Sequence, residues 1–296
     1  MVGAAQGSRR PELAVKRILI TGASGMLGRD VQDVLGARPF TALTRSQLDI
    51  LDLDAVGRAI TGHDVVINCA AYTAVDDAET HEADAFAINA EGAHNLALAA
   101  RDEGATLIHV STDYVFNGQA TAPYGEDDER DPLGAYGRTK AAGEELILEA
   151  HPAGSVIVRS AWLFGQHGPN FVATMLRLAG ERETLTVVDD QRGQPTWTRD
   201  LAQKIVEIID ADITSGIFHG TSSGETTWFG FAREIFSQAG LDPERVAPTD
   251  SASFVRPAPR PAYSVLGHDA WARSGLTPIR SWQAALAEAL PLITHT

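Results

Sequence analysis

The sequence predicts an α/β protein, a doubly wound parallel sheet followed by a smaller and less regular C-terminal lobe. Three observations carry this. Short β-branched runs alternate with helical stretches as far as residue 160, the rhythm of βαβ units whose sheet is covered on both faces. A glycine-rich turn sits directly between the first strand and its helix, where α/β sheets receive phosphates. Beyond Ser160 the alternation breaks into loops, aromatic clusters and prolines.

Residues 1–15 are small and polar without periodicity and read as a floppy leader. KRILIT (16–21) is the first strand and MLGRDVQDVL (26–35) the first amphipathic helix. PFTALT (39–44), DAVGRAI (54–60) and DVVINC (64–69) repeat the pattern as strand, helix and strand. Residues 81–104 carry Phe86, Ile88, Leu96 and Leu98 among alanines and predict one long helix. TLIHVST (106–112), the helical stretch 135–150 and SVIVRS (155–160) complete a Rossmann-type dinucleotide-binding domain over 16–160. Residues 161–296 are expected to form mainly a substrate-binding lobe, with segments returning to the first domain. Helices are expected around 170–180, near 199–210 and at 281–290, with a strand at LTVVDD (185–190). IFHGT (217–221) is a candidate to rejoin the sheet, and Pro257, Pro259 and Pro261 mark an extended connection.

Composition narrows the function classes. With 296 residues, 44% of them hydrophobic and 21% charged, the chain is globular rather than disordered. A net charge of −15 repels phosphate backbones, so nucleic acid is not an expected partner. An anionic metabolite remains compatible, because a pocket can be locally positive. The single cysteine, Cys69, excludes an internal disulfide and a cysteine-built metal site. No apolar run approaches the roughly 20 residues that span a bilayer, and the first residues lack the apolar core of a signal peptide. The expected location is cytoplasmic, without a membrane partner.

Gly22-Ala23-Ser24-Gly25-Met26-Leu27-Gly28 is the glycine-rich turn. Its glycines let the backbone approach a pyrophosphate, and the following helix offers free N–H groups and partial positive charge. The end of the second strand discriminates between cofactors: a carboxylate there bonds a ribose 2′-hydroxyl, an arginine a 2′-phosphate. Here it reads Leu43-Thr44-Arg45-Ser46, with no carboxylate before Asp49. That favours NADPH clamped by Arg45, with NADH as the alternative. Tyr136-Gly137-Arg138-Thr139-Lys140 places a phenol and an ammonium four residues apart, on one helix face. The cation is expected to favour the phenolate and bring Tyr136 within reach of acid–base work at neutral pH. A hydroxyl at the end of the fourth strand would hold a substrate carbonyl. Spacing alone leaves both Ser111 and Thr112 open.

Together GASGMLG, NCAAYTAVDDAE, HVSTDYVFNG, YGRTK and DDQRGQPTW (189–197) resemble the extended short-chain dehydrogenase/reductases. More narrowly, from about Arg17 onward the chain is similar to the dTDP-4-dehydrorhamnose reductase family. The resemblance implies an NAD(P)H-dependent reduction of the C4 keto group of a dTDP-4-keto-6-deoxy-L-hexose. It also implies a catalytic set of Thr112, Tyr136 and Lys140. Asp113 would touch the substrate and Trp162 would pack against the nucleotide-sugar, although a tryptophan here suits a core equally well. Ala70, Ala71 and Tyr72 would lie along the cofactor, with Asp49 and Ile50 near its adenine end. Some members associate magnesium with acidic residues, including a glutamate shortly after the DQxGxPT motif. The comparable position here is Arg199, so magnesium is left open and no metal site is assigned. His81-Glu82-Ala83-Asp84 is not a HExxH pair, and the nine histidines show no clear ligand spacing.

Three other readings stand beside this one. A related dTDP-4-keto-sugar reductase of secondary metabolism, of the streptose type, would share every motif. A nucleotide-sugar dehydratase or epimerase would cycle its nicotinamide, but dehydratases place Asp-Glu after the threonine, and Asp113 is followed here by Tyr114. A non-catalytic cofactor sensor would not need the complete Thr112, Tyr136 and Lys140 set. The sequence is compatible with a monomer or a homodimer.

Overall fold

Two short strands set the frame: ILIT at β1 (Ile18–Thr21) and VVIN at β3 (Val65–Asn68) are buried along their whole length, as parallel strands covered on both faces must be. The structure, a computed structural model, describes residues 15–294, so the leader expected over 1–15 lies outside the described residues apart from Val15. In chain order the main elements are β1, α1 (Met26–Leu35), β2 (Phe40–Leu43), α2 (Leu53–Ile60), β3, α3 (Gly92–Glu103), β4 (Thr106–Thr112), α4 (Ala135–Ala150) and β5 (Ser155–Ser160). There follow α5 (Phe171–Glu181), β6 (Leu185–Val188), α6 (Thr198–Asp210), β7 (Gly216–His219), α7 (Trp228–Gln238), β8 (Val246–Thr249) and α8 (Trp282–Thr294).

Six strands form one parallel sheet in the order β7-β5-β4-β3-β1-β2. The chain runs outward from β1 to β2 and then returns past β1 to β3. The order therefore reverses between β1 and β3, opening a crevice at their carboxyl ends. One face of the sheet buries Ile18, Ile20, Val65 and Val156 with Val31 of α1 and Leu201 and Ile205 of α6. The other buries Leu19, Val66 and Ile157 with Val56 of α2 and Leu96 of α3. The late segment 217–221 does rejoin the sheet, as β7 beside β5. A second cluster, with Phe164, Trp197, Phe231, Trp282 and Leu286, gathers α5, α7 and α8. Next to it β6 pairs in parallel with β8. Neither α7 nor β8 is among the elements expected from the sequence, although Trp228, Phe231, Ala232, Ile235 and Phe236 give α7 a helical period. An N-cap, Gly230 N–H donating to Thr227 Oγ1 at 3.0 Å, starts α7, and its apolar face packs among aromatic residues.

The long helix expected over 81–104 is interrupted. A short helix at Glu82–Phe86 passes into a π turn at Ala87–Glu91 before α3 begins. Such turns place a side chain where a regular helix would not. Here the side chain is Asn89, whose Oδ1 accepts from Tyr72 N–H at 2.8 Å while Nδ2 donates to Tyr72 O and Thr139 Oγ1, both at 3.1 Å. Helix α4 presses so closely on this turn that a Cβ at Gly143 would lie 2.1 Å from Asn89 O. Only glycine fits there.

Helix α4 is fixed at both ends of its buried face. The Ala135 N–H donates to Glu79 Oε1 at 2.8 Å, satisfying one of the free groups of the first turn. Deeper in, Glu144 and Arg159 of β5 form a buried ion pair, with side chains 0% and 2% exposed. Arg159 donates to Glu144 through Nη2 at 2.7 Å and Nε at 3.0 Å, and Ser111 Oγ donates to Glu144 at 2.6 Å. Arg159 Nη1 also donates to Glu126 O at 3.1 Å. Breaking one partner of such a pair strands a buried charge at a cost of about 3–5 kcal/mol, whereas removing both is far milder. Glu144→Gln should therefore lower the urea unfolding free energy by about 3–5 kcal/mol, and the double change Glu144→Leu with Arg159→Met should recover most of that loss. Equal destabilisation by the single and double changes would show that the pair does not anchor α4.

Candidate active site

The crevice at the carboxyl ends of β1, β3 and β4 is a cleft of about 880 Å³. Its floor is the glycine-rich turn: Gly22, Ser24, Gly25, Met26, Leu27 and Gly28 all line it. Gly22 has φ +66°, and a Cβ there would lie 2.6 Å from Ala70 N, so the turn depends on glycine for both conformation and space. Helix α1 starts behind an N-cap, Gly25, that has no side-chain cap. Its first N–H groups and the positive end of its dipole remain available to an anion. A dinucleotide pyrophosphate fits this cradle.

The other cofactor, catalytic and substrate residues expected from the sequence line the same cleft. Arg45, Asp49 and Ile50 lie beyond the end of β2, and Ala70, Ala71 and Tyr72 follow β3. Arg45 is exposed at the rim, whereas the Asp49 carboxylate is turned to its own loop and accepts from Leu51 N–H at 3.0 Å. Tyr72 donates its hydroxyl to Asp77.

Opposite the glycines, α4 presents Tyr136 and Lys140 from successive turns, and β4 ends beside them in Thr112, followed by Asp113. The two hydroxyls left open by spacing are separated here. Ser111 is committed to Glu144, while Thr112 hydrogen-bonds the Tyr136 phenol and donates to Asp113 Oδ1 at 3.0 Å. The edge of Tyr114 packs against Tyr136 with ring centroids 5.7 Å apart.

The electrostatics depart from the expectation for Tyr136. Burial pushes the phenol up to about 12, opposed by the Thr112 hydrogen bond. Lys140 is not among the groups that draw it down; its Nζ is held by Val110 O at 2.7 Å and His109 Nε2 at 2.9 Å. Lys140 itself is lowered to about 8 by burial, against the pull of Glu144 and Cys69. Asp113 is raised to about 6, again by burial. The phenol is therefore fully protonated near neutrality, the form a general acid requires.

Trp162 lines the cleft with φ +46°, and one face of its indole is already covered by Trp228, with centroids 3.7 Å apart. A Cβ at Gly193 would lie 2.6 Å from the indole. Arg199 sits in the first turn of α6, where its charge acts on Asp30. A guanidinium cannot ligate magnesium, so this position does not fit the family's glutamate.

Several residues here receive no role from the sequence, although Asn68, His109 and Tyr114 lie within the motifs NCAAYTAVDDAE and HVSTDYVFNG. Asn68, His109 and Asn89 pin the site from beneath, and Tyr114 and Trp228 shape its walls. Asn68 and His109 ended and crossed apolar strands, and their significance depends on strand register. The helical run around Asn89 disguised the π turn.

A family model described as the RmlD substrate binding domain matches residues 16–294. The chain is 50% identical over 285 residues to the dTDP-4-dehydrorhamnose reductase of Streptomyces griseus, covering 94% of each protein. It is also 50% identical over 281 residues to the dTDP-4-keto-6-deoxy-D-glucose reductase of Streptomyces niveus, covering 94% of this chain and 97% of that one. Among solved structures, the dTDP-4-dehydrorhamnose reductase of Bacillus anthracis in complex with NADP matches with a TM-score of 0.90 at 38% identity, over 93% of this chain and 99% of that one. With glycine cradle, hydroxyl, phenol and ammonium gathered in one cleft, and with relatives of this length and identity, the chain belongs to the dTDP-4-dehydrorhamnose reductase family.

Proposed function

We propose that this protein is an NADPH-dependent reductase that converts the C4 ketone of a dTDP-4-keto-6-deoxy-L-hexose to the alcohol, with dTDP-4-dehydrorhamnose as substrate and dTDP-L-rhamnose as product. The convergence of Thr112, Tyr136 and Lys140 over the glycine-floored cleft carries this reading. Gly22, Ser24, Gly25, Met26, Leu27 and Gly28 would hold the pyrophosphate, Arg45 a 2′-phosphate, and Asp49 and Ile50 the adenine end, with Ala70, Ala71 and Tyr72 along the remainder. The NADP in the Bacillus anthracis relative supports that cofactor choice. When bound, the reduced nicotinamide supplies hydride to the carbonyl carbon.

The chain's own groups then manage the charge that develops on oxygen. Tyr136 donates its proton to the C4 oxygen as general acid, and Thr112 hydrogen-bonds the same oxygen. Lys140 would hold the nicotinamide ribose, donating from Nζ to its hydroxyls. Asp113 accepts from a sugar hydroxyl, and the free edge of Trp162 offers an apolar contact to the nucleotide-sugar. The Streptomyces niveus relative, equally similar, supports a second reading in which the same machinery reduces a dTDP-4-keto-6-deoxy sugar of a different ring configuration. Among the described residues no helix is long and apolar enough to cross a membrane, and a cytoplasmic monomer or homodimer accords with this role.

Purified protein mixed with dTDP-4-keto-L-rhamnose should oxidise NADPH stoichiometrically, and the sugar product identifies the configuration. Binding without turnover across several 4-keto sugars would instead indicate a sensor. Tyr136→Phe should reduce kcat by about 10²–10⁴-fold, the usual share of a general acid, while NADPH still binds. Full activity in that variant would remove the assigned role. Arg45→Ala should weaken NADPH by about tenfold relative to NADH, in line with one charge-assisted contact; equal effects on both would overturn the clamp.

The pH dependence has a definite sign. Asp113 ionises above about 6 and Lys140 loses its charge above about 8. Turnover should rise through the first midpoint, hold a plateau, and fall through the second. Asp113→Asn should flatten the acid limb, and a profile level across both midpoints would contradict these roles.

A further inference from the structure

Beneath the cleft, three polar side chains occupy directly paired positions on neighbouring strands: Thr21 opposite Asn68, and Asn68 opposite His109. All three are buried. Together with Lys140 they form a continuous chain of hydrogen bonds that the proposed reaction does not itself use.

We propose that Asn68 and His109 are positioning residues for Lys140, because the hydrogen bonds running from the Ala70 N–H have one fixed direction and end by offering Nζ a donor where an ammonium needs an acceptor. The direction follows from groups whose roles cannot reverse. A backbone N–H can only donate, and that of Ala70 lies 3.0 Å from Asn68 Oδ1, which also receives Thr21 Oγ1 at 2.8 Å. The amide is thereby oriented with Nδ2 toward His109 Nδ1, 2.9 Å away. An amide nitrogen cannot accept, so Nδ1 must. A neutral imidazole then carries its proton on Nε2, and burial together with Lys140 keeps His109 neutral by holding its pKa well below the usual range. That Nε2–H points at Nζ across 2.9 Å.

A neutral amine satisfies the arrangement. It accepts from His109, donates one N–H to Val110 O at 2.7 Å, and keeps a second for the cleft. An ammonium has three donors and no acceptor. To form, it must push the imidazole proton onto Nδ1, against the Asn68 amide, or open a buried contact. The other groups facing Nζ do not relieve this. Cys69 at the end of β3 stays a thiol, pushed up to about 12, and Tyr136 stays a phenol. Glu144, one turn along α4, favours the ammonium, but its charge is engaged by Arg159, Arg130 and Ser111. Burial acts in the same sense as the chain of bonds, so Lys140 exchanges its proton close to neutrality.

The role assigned to Lys140 in turnover rests on the reading above, but the test does not require turnover. The chain has only three lysines, Lys16, Lys140 and Lys204, so protein labelled with ¹³C and ¹⁵N in lysine gives few signals, and the Lys140 signal is identified by its loss in Lys140→Met. In wild-type protein labelled with ¹⁵N in histidine, spectra should find the His109 proton on Nε2 with Nδ1 bare; a proton on Nδ1 would overturn the proposal without any variant. Asn68→Leu adds no charge and frees Nδ1, letting the ring present a bare Nε2. The Lys140 midpoint should then rise by about one pH unit, whereas making the surroundings less polar would alone lower it. A midpoint unmoved or lowered would overturn the proposal. If the variant does not fold, the wild-type tautomer decides. In turnover, the alkaline limb should shift upward with the Lys140 midpoint. If the wild type reduces no 4-keto sugar, the proposed function fails while the spectra still judge this one.

Discussion

The ion pair between Glu144 and Arg159 determines where helix α4 lies, and the site depends on that placement. Without it, a helix carrying a phenol and an ammonium could slide along the sheet. With it, Glu144 is tied at once to β5 through Arg159 and to β4 through Ser111. Lys140 and Tyr136 sit one and two turns nearer the helix start, so the same anchor brings them over the carboxyl ends of β4 and β3. The Gly143 contact with the π turn adds the lateral constraint, since no larger residue lets the two helices approach so closely.

Burial then sets the chemistry. The same dehydration acts on three groups with opposite consequences: it holds Tyr136 and Asp113 toward their protonated forms and Lys140 toward its neutral form. A phenol kept protonated is suited to donate, and an amine poised near neutrality can respond when charge appears beside it. Cofactor recognition uses different physics. The glycine turn and the open start of α1 present backbone dipoles, which let a protein with a net charge of −15 receive an anion without a large basic patch.

Much of this was legible in one dimension because it is local. Strand runs such as ILIT and VVIN, the turn from Gly22 to Gly28, and the four-residue spacing of Tyr136 and Lys140 each express a short-range rule. The departures share a cause as well. The predicted helix over 81–104 contains a π turn because Asn89 is required by Tyr72 and Thr139, distant in sequence. Tyr136 is not drawn toward its phenolate because burial outweighs the polar groups around it.

By itself the sequence determined the α/β class, the glycine cradle, the phenol–ammonium pair and the family, since these depend on residue identity and spacing along one strand or helix. Tertiary structure alone decided which hydroxyl meets the phenol, how Trp162 is backed by Trp228, and the polar ladder from Thr21 through Asn68 to His109 and Lys140. Those features arise from strand register and from burial, and both come into being only when segments far apart in the chain pack against one another.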